Sequence, residues 1–142
     1  MLKKIWKKNK KIIIVAIALL LIFIVIFVLA KMAQSDRLSR QAEQEAADIA
    51  KKEQIKESLQ LKILDIFSVS LRILTVEDIK IGIDGFDIQT TLSDGIETVI
   101  AKRDGFEFVI TQEFINESIQ AASKTSPNLV DLGEYYNYLL NK

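Results

Sequence analysis

The chain has 142 residues with 19 basic and 19 acidic side chains, so its formal net charge is zero, and it contains neither Cys nor His. Those two absences exclude disulfides, thiol catalysis, thiolate zinc sites and imidazole general bases. The balance of charge conceals an asymmetry: six Lys and no acid fall within residues 1–11, leaving 13 basic and 19 acidic residues and a net charge of −6 for the rest.

Residues 1–11 form a basic tail carrying Lys3, Lys4, Lys7, Lys8, Lys10 and Lys11. Residues 12–30 then read IIIVAIALLLIFIVIFVLA, with no charge, Gly, Pro, Ser or Thr. As a helix this stretch would be about 28 Å long, close to the roughly 30 Å hydrocarbon core of a bilayer. It predicts a transmembrane helix, with Ile12, Ile17, Leu21, Phe23, Phe27 and Ala30 among its anchoring residues. Basic residues flanking a span stay on the cytoplasmic side, so the lysines place the N-terminus inside and the remainder outside the cytoplasmic, or inner, membrane in a single pass. Trp6 suits the headgroup layer, and Lys31 can snorkel at the far end. A cleaved secretory signal is the competing reading, but its apolar region usually runs about 7 to 15 residues, so this longer stretch predicts an uncleaved signal anchor. The span carries no acid, base or polar group for an ion path, and only Ala16 and Ala18 are small before Ala30, so it reads as a plain tether.

Residues 31–58 are rich in Ala, Gln, Glu, Lys and Arg and free of Gly and Pro, which predicts a helical stalk. Its seam of Leu38, Ala42, Ala46 and Ile49 slips phase before Ile55, which disfavours a sustained coiled coil but leaves short self-association or packing onto a partner helix open. Residues 59–142 are expected to form an extracytoplasmic α+β domain. Its first segment continues the helix to Leu74 and is apolar on more than one face, as if buried on more than one side. Asp-Gly then recurs at Asp84-Gly85, Asp94-Gly95 and Asp104-Gly105. Asp-Gly between alternating hydrophobics signals a two-residue hairpin turn, so the pattern predicts a four-stranded antiparallel meander over residues 78–83, 86–93, 96–103 and 106–111. The implied register pairs Ile83 with Phe86, Ser93 with Ile96 and Arg103 with Phe106. One face then collects Ile79, Ile81, Ile83, Phe86, Ile88, Leu92, Val99, Ala101, Phe106, Phe108 and Ile110, and the preceding helix is its expected cover. The opposite face is polar apart from Ile96, Ile100 and Val109. Two covering helices follow, one capped by Thr111 over residues 112–124 and one starting at Ser126-Pro127 and ending near Leu140.

Chemistry is sparse. The three turn aspartates match neither an EF-hand loop nor a calcium-binding nonapeptide repeat, and no phosphate loop or Ser-x-x-Lys motif occurs, so neither enzyme activity, nor a metal, nor a cofactor is expected. The acidic outer part is a poor match for nucleic acid. The expected contacts are therefore the membrane and other envelope proteins, through the stalk or domain, with self-association included. Ile96, Ile100, Val109 and the tyrosines Tyr135, Tyr136 and Tyr138 are the candidate interface residues.

The order of elements is similar to that of the bitopic assembly proteins of type IV pilus and secretion platforms, and more loosely to small division-complex subunits. That likeness implies a membrane-anchored structural or assembly component of a bacterial envelope complex. A pilin-like filament subunit is the alternative, since pilins also join a long N-terminal helix to an antiparallel meander. Their processing pattern of a Gly before the apolar run and a Glu five residues into the mature chain is absent, because Asn9-Lys10-Lys11 precedes the run and Ala16 is its fifth residue. An exported ligand-sensing domain is a third reading.

Overall fold

The computed structural model describes the backbone of residues 2–142 and the side chains of residues 9–142 other than Pro127. The chain is α+β: α1 (Leu2–Ser70), α2 (Val76–Lys80), β1 (Asp87–Ser93), β2 (Ile96–Arg103), β3 (Phe106–Ile110), α3 (Gln112–Thr125), a 3-10 turn (Pro127–Leu129) and α4 (Val130–Leu140). It divides into two compact parts, one ending at Asp48 and one comprising Ile49–Lys142.

The described residues of the first part are all helical. Among the described residues, α1 is the one helix long and apolar enough to cross a membrane by length and composition. The side chains of Ile12, Ile17, Leu21, Phe23, Phe27 and Ala30 are all exposed, as are Lys10 and Lys11. The side chains of Lys3, Lys4, Trp6, Lys7 and Lys8 lie outside the described residues.

The second part is built on a three-stranded antiparallel sheet in the order β1-β2-β3. Two of the three Asp-Gly pairs act as hairpin turns. Asp94 and Gly95 have φ of 53° and 77°, and Asp104 and Gly105 have 51° and 82°, the double positive φ of a type I′ turn. The ladder accordingly pairs Ser93 with Ile96 and Arg103 with Phe106, the expected register.

The expected first strand is absent. Residues Val76–Lys80 form the one-turn helix α2, and the ladder has three strands instead of four. Two local causes are visible. Asp78 accepts hydrogen bonds from the Thr75 backbone N–H at 2.7 Å and the Thr75 hydroxyl at 3.1 Å, the carboxylate half of a capping box that starts a helix. The Ile83–Phe86 turn, closed by the Phe86 N–H on the Ile83 carbonyl at 3.1 Å, has positive φ at Gly85 but not at Asp84. One positive φ, at the third position, is the mark of a type II turn, whose twist does not suit a two-residue hairpin.

Arg72 also grips Asp78, with Nη2 on Oδ1 at 2.5 Å and Nη1 on Oδ2 at 3.1 Å. The guanidinium, helped by the Thr75 N–H, lowers the Asp78 pKa to about 2. Because the folded value lies below the unfolded one, the pair adds stability above about pH 4 that disappears as pH falls toward 2. Arg72 is 60% exposed, so solvent screening limits the effect to on the order of 1 kcal/mol. In urea titrations between pH 2 and 5, the wild-type chain is expected to lose that much stability relative to Asp78→Asn; parallel pH profiles of the two proteins would contradict the assignment.

The core lies between the sheet and the helices. Ile55, Leu59, Ile63, Leu64 and Phe67 of α1 pack with Val99, Ala101, Phe108 and Ile110 of the sheet, Ile115, Ile119 and Ala122 of α3, and Tyr136 of α4. The steps of four from Ile55 to Phe67 form a single helical stripe, so α1 is buried along one face. Burial on more than one side does not occur: Leu61 and Val69 are exposed, Val69 at 86%. The helix also stops at Ser70 instead of Leu74. Leu71 adopts φ of 50° and donates its N–H to the Phe67 carbonyl at 2.8 Å, a left-handed C-terminal cap made without the usual Gly. Thr111 caps α3 by accepting the Phe114 N–H at 3.0 Å, as the sequence predicts. Gly133 lets α4 approach α3 so closely that a methyl group there would collide with Ser123.

Candidate interaction surfaces

Strand alternation directs the side chains of Ile96, Thr98, Ile100 and Lys102 of β2, and of Glu107 and Val109 of β3, away from the core. On this outer face Ile100 lies directly across from Val109, and Lys102 from Glu107, whose side chains form an ion pair at 2.5 Å. Ile96 is 68% and Val109 52% exposed, while Ile100 is half-buried. The face thus has a charged end at Lys102 and Glu107 and an apolar end at Ile96 and Val109.

At the apolar end, β3 stops at Ile110 opposite Val99, so β2 residues 96–98 run on beside no third strand. A shallow groove of about 350 Å³ occupies this corner, lined by Ile96, Thr98, Val109 and Thr111 with Val76 and Lys80 of α2. Lys80 bridges Glu77 and Glu97, each at 2.7 Å, and both acids raise its pKa. The groove is therefore apolar-floored with its nearby cation already neutralised, which suits an apolar side chain better than an anion.

The tyrosines divide. Tyr135 and Tyr138 are partly exposed, with rings stacked at 6.3 Å, and Tyr135 also stacks on Phe67 at 6.3 Å. Tyr136 is fully buried, meets Phe67 edge-on at 4.8 Å, and donates its hydroxyl to Asn116 Oδ1 at 2.6 Å. Asn116 also accepts from Gln112, which donates to the Leu74 carbonyl as well. Tyr136 thus belongs to the core and to a polar network tying α4 to α3 and to Leu74 in the segment between α1 and α2, so it is unavailable as a surface contact. Burial raises its phenol pKa.

The turn aspartates are spread apart. Asp84 lies 3.6 Å from Lys62 and Asp104 3.8 Å from Lys51, whereas Asp94 sits in the turn at the opposite end of β2. Among the described residues, no three carboxylates converge to hold a metal ion.

One surface has no counterpart in the sequence reading. A fourth strand over residues 78–83 would have paired with β1; with α2 in its place, β1 is a sheet edge, and six of its seven residues are exposed. The signal for it was the Thr75-x-x-Asp78 capping pattern. No family model matches the chain, and neither a curated protein nor a solved structure shows significant similarity to it.

Proposed function

We propose that the chain is a non-enzymatic structural or assembly component of a bacterial envelope complex, anchored in the inner membrane by residues 12–30 with the N-terminus inside. The domain acts outside the membrane by binding other proteins. The observation that carries this reading is the pairing of an uninterrupted, exposed apolar helical stretch with an uneven distribution of lysines, six within the eleven residues before it and Lys31 alone directly after it, the pattern of a tether with fixed direction. The domain adds support: its exposed features are an apolar sheet face, an open strand edge and stacked tyrosines, all suited to protein contacts. Affinity purification of the tagged full chain from gently solubilised membranes tests the proposal. Stoichiometric co-purification of further envelope proteins is the expected result; recovery of this chain alone would overturn it.

A further inference from the structure

We infer that the outer edge of β1 pairs with the same edge of a second copy of this chain, joining two three-stranded sheets into one of six strands. The inference rests on the assembly reading above in that the second copy is a partner presented in the same membrane, which raises its effective concentration.

Hydrogen-bond directions follow from the hairpin. Ser93 and Ile96 flank a two-residue type I′ turn and so bond to each other, and bonded positions alternate along an antiparallel pair. Asp87, Gln89, Thr91 and Ser93 therefore direct their backbone groups at β2, and Ile88, Thr90 and Leu92 direct theirs outward. No hydrogen bond among the described residues meets those outward groups.

Although α2 lies close to β1, the strand itself lacks the usual edge protection. Residues 87–93 read DIQTTLS, with no Lys, Pro or Gly and no bulge in the ladder. Leu92 is 75% exposed although it points to the same side of the sheet as the core residues Val99 and Ala101, an apolar side chain beyond the reach of the covering helices.

The edge is complementary to itself. With Thr90 on a two-fold axis, Thr90 faces Thr90, Ile88 faces Leu92 and Leu92 faces Ile88 of the second copy. Those are the three outward-bonding positions, so each of the three facing pairs can exchange two backbone hydrogen bonds. Each exposed Leu92 then gains an Ile88 neighbour on its own side of the sheet. The lone charge on the strand, Asp87, faces Ser93, so no like charges oppose each other. This isologous pairing closes as a dimer and leaves no β1 edge for a third copy.

Because the chain has no Cys, single cysteines report the pairing directly. In membranes containing the full chain, Thr90→Cys is expected to form a covalent dimer under mild oxidation, since facing bonded residues lie about 5.5 Å apart at Cα, within the range a disulfide spans. Ser93→Cys, roughly 20 Å from its own copy in this register, is expected to cross-link at least about ten-fold more slowly. Should Thr90→Cys fail to fold, Ile88→Cys and Leu92→Cys expressed together serve the same purpose: they are expected to link to each other but not each to itself. Equal rates at residues 90 and 93, no linkage in either design, or linkage of residue 90 to a different protein would overturn self-pairing. If purification returns other proteins while residue 90 stays unlinked, the inference alone fails; if residue 90 links in a chain that purifies without other proteins, the assembly proposal alone fails.

Discussion

Phe67→Ala is expected to destabilise the folded domain by about 4 kcal/mol, the effect of removing a fully buried aromatic ring and leaving a cavity behind. Phe67 has no exposed surface and is the point where α1 meets α4, with Tyr136 edge-on at 4.8 Å and Tyr135 stacked at 6.3 Å. Collapse into the space is hindered because Tyr136 is held through its hydroxyl by Asn116. A domain of this size has a stability of about 5 to 15 kcal/mol, so the substitution removes a large share of it. At roughly 4 to 8 °C per kcal/mol for a small domain, the melting temperature of the full chain in detergent should fall by about 15 to 30 °C. Val69→Ala, two residues on but 86% exposed, provides the control and should change stability by less than about 0.5 kcal/mol. Similar melting temperatures for the two variants, followed by near-ultraviolet circular dichroism, would show that Phe67 is not the pivot of the core.

The contrast between those neighbouring residues shows what was legible in the sequence. Two hairpins were readable to the residue, because Asp-Gly is among the few dipeptides that accept two successive positive φ values, and the two-residue turn then fixes the register. The inward face of β2 and β3, with Val99, Ala101, Phe108 and Ile110, followed from that register alone. The fourth strand failed where periodicity was shortest. Ile79, Ile81 and Ile83 look like strand alternation, yet only Ile79 and Ile83 are buried, while Ile81 is 88% exposed. A spacing of four, a one-turn helix followed by a turn, here mimics two spacings of two. The deciding information was polar: Thr75 and Arg72 converge on Asp78 and hold the start of α2.

The same absence limited the reading of α1. A helix apolar on several faces suggests burial on several sides, but a three-stranded sheet offers one surface, and α1 buries the Ile55-to-Phe67 stripe and Leu64 in the core with Ile66 half-buried beside them. Burial depends on how much partner surface exists, which the helix's own sequence does not state. Among the interface candidates the same rule sorts Tyr136 into the core and leaves Tyr135 and Tyr138 at its margin. The open edge of β1 was hidden for the opposite reason, because the expected strand would have covered it.

Three arginines placed in the middle of the apolar stretch, Leu19→Arg, Leu21→Arg and Phe23→Arg together, are expected to release the chain from the membrane, whereas Leu21→Arg alone should leave it anchored. Residues 12–30 contain sixteen Ile, Leu, Val or Phe side chains and three Ala. At about −0.3 to −0.6 kcal/mol for each large apolar residue, the stretch favours insertion by roughly 5 to 10 kcal/mol. One central Arg opposes this by about 3 kcal/mol, less than the total, and its long side chain can reach toward the interface. Three oppose it by about 8 to 10 kcal/mol, enough to cancel the preference. The α-helical propensity of Arg is close to that of Leu, so the substitutions change partitioning far more than helix formation. The measurement is the fraction of chain retained in membranes after alkaline extraction. Full retention of the single variant with loss of the triple variant would match a tether held by apolar burial alone. Retention of the triple variant would mean that the chain is held at the membrane by something other than residues 12–30, and the anchor assignment would fall.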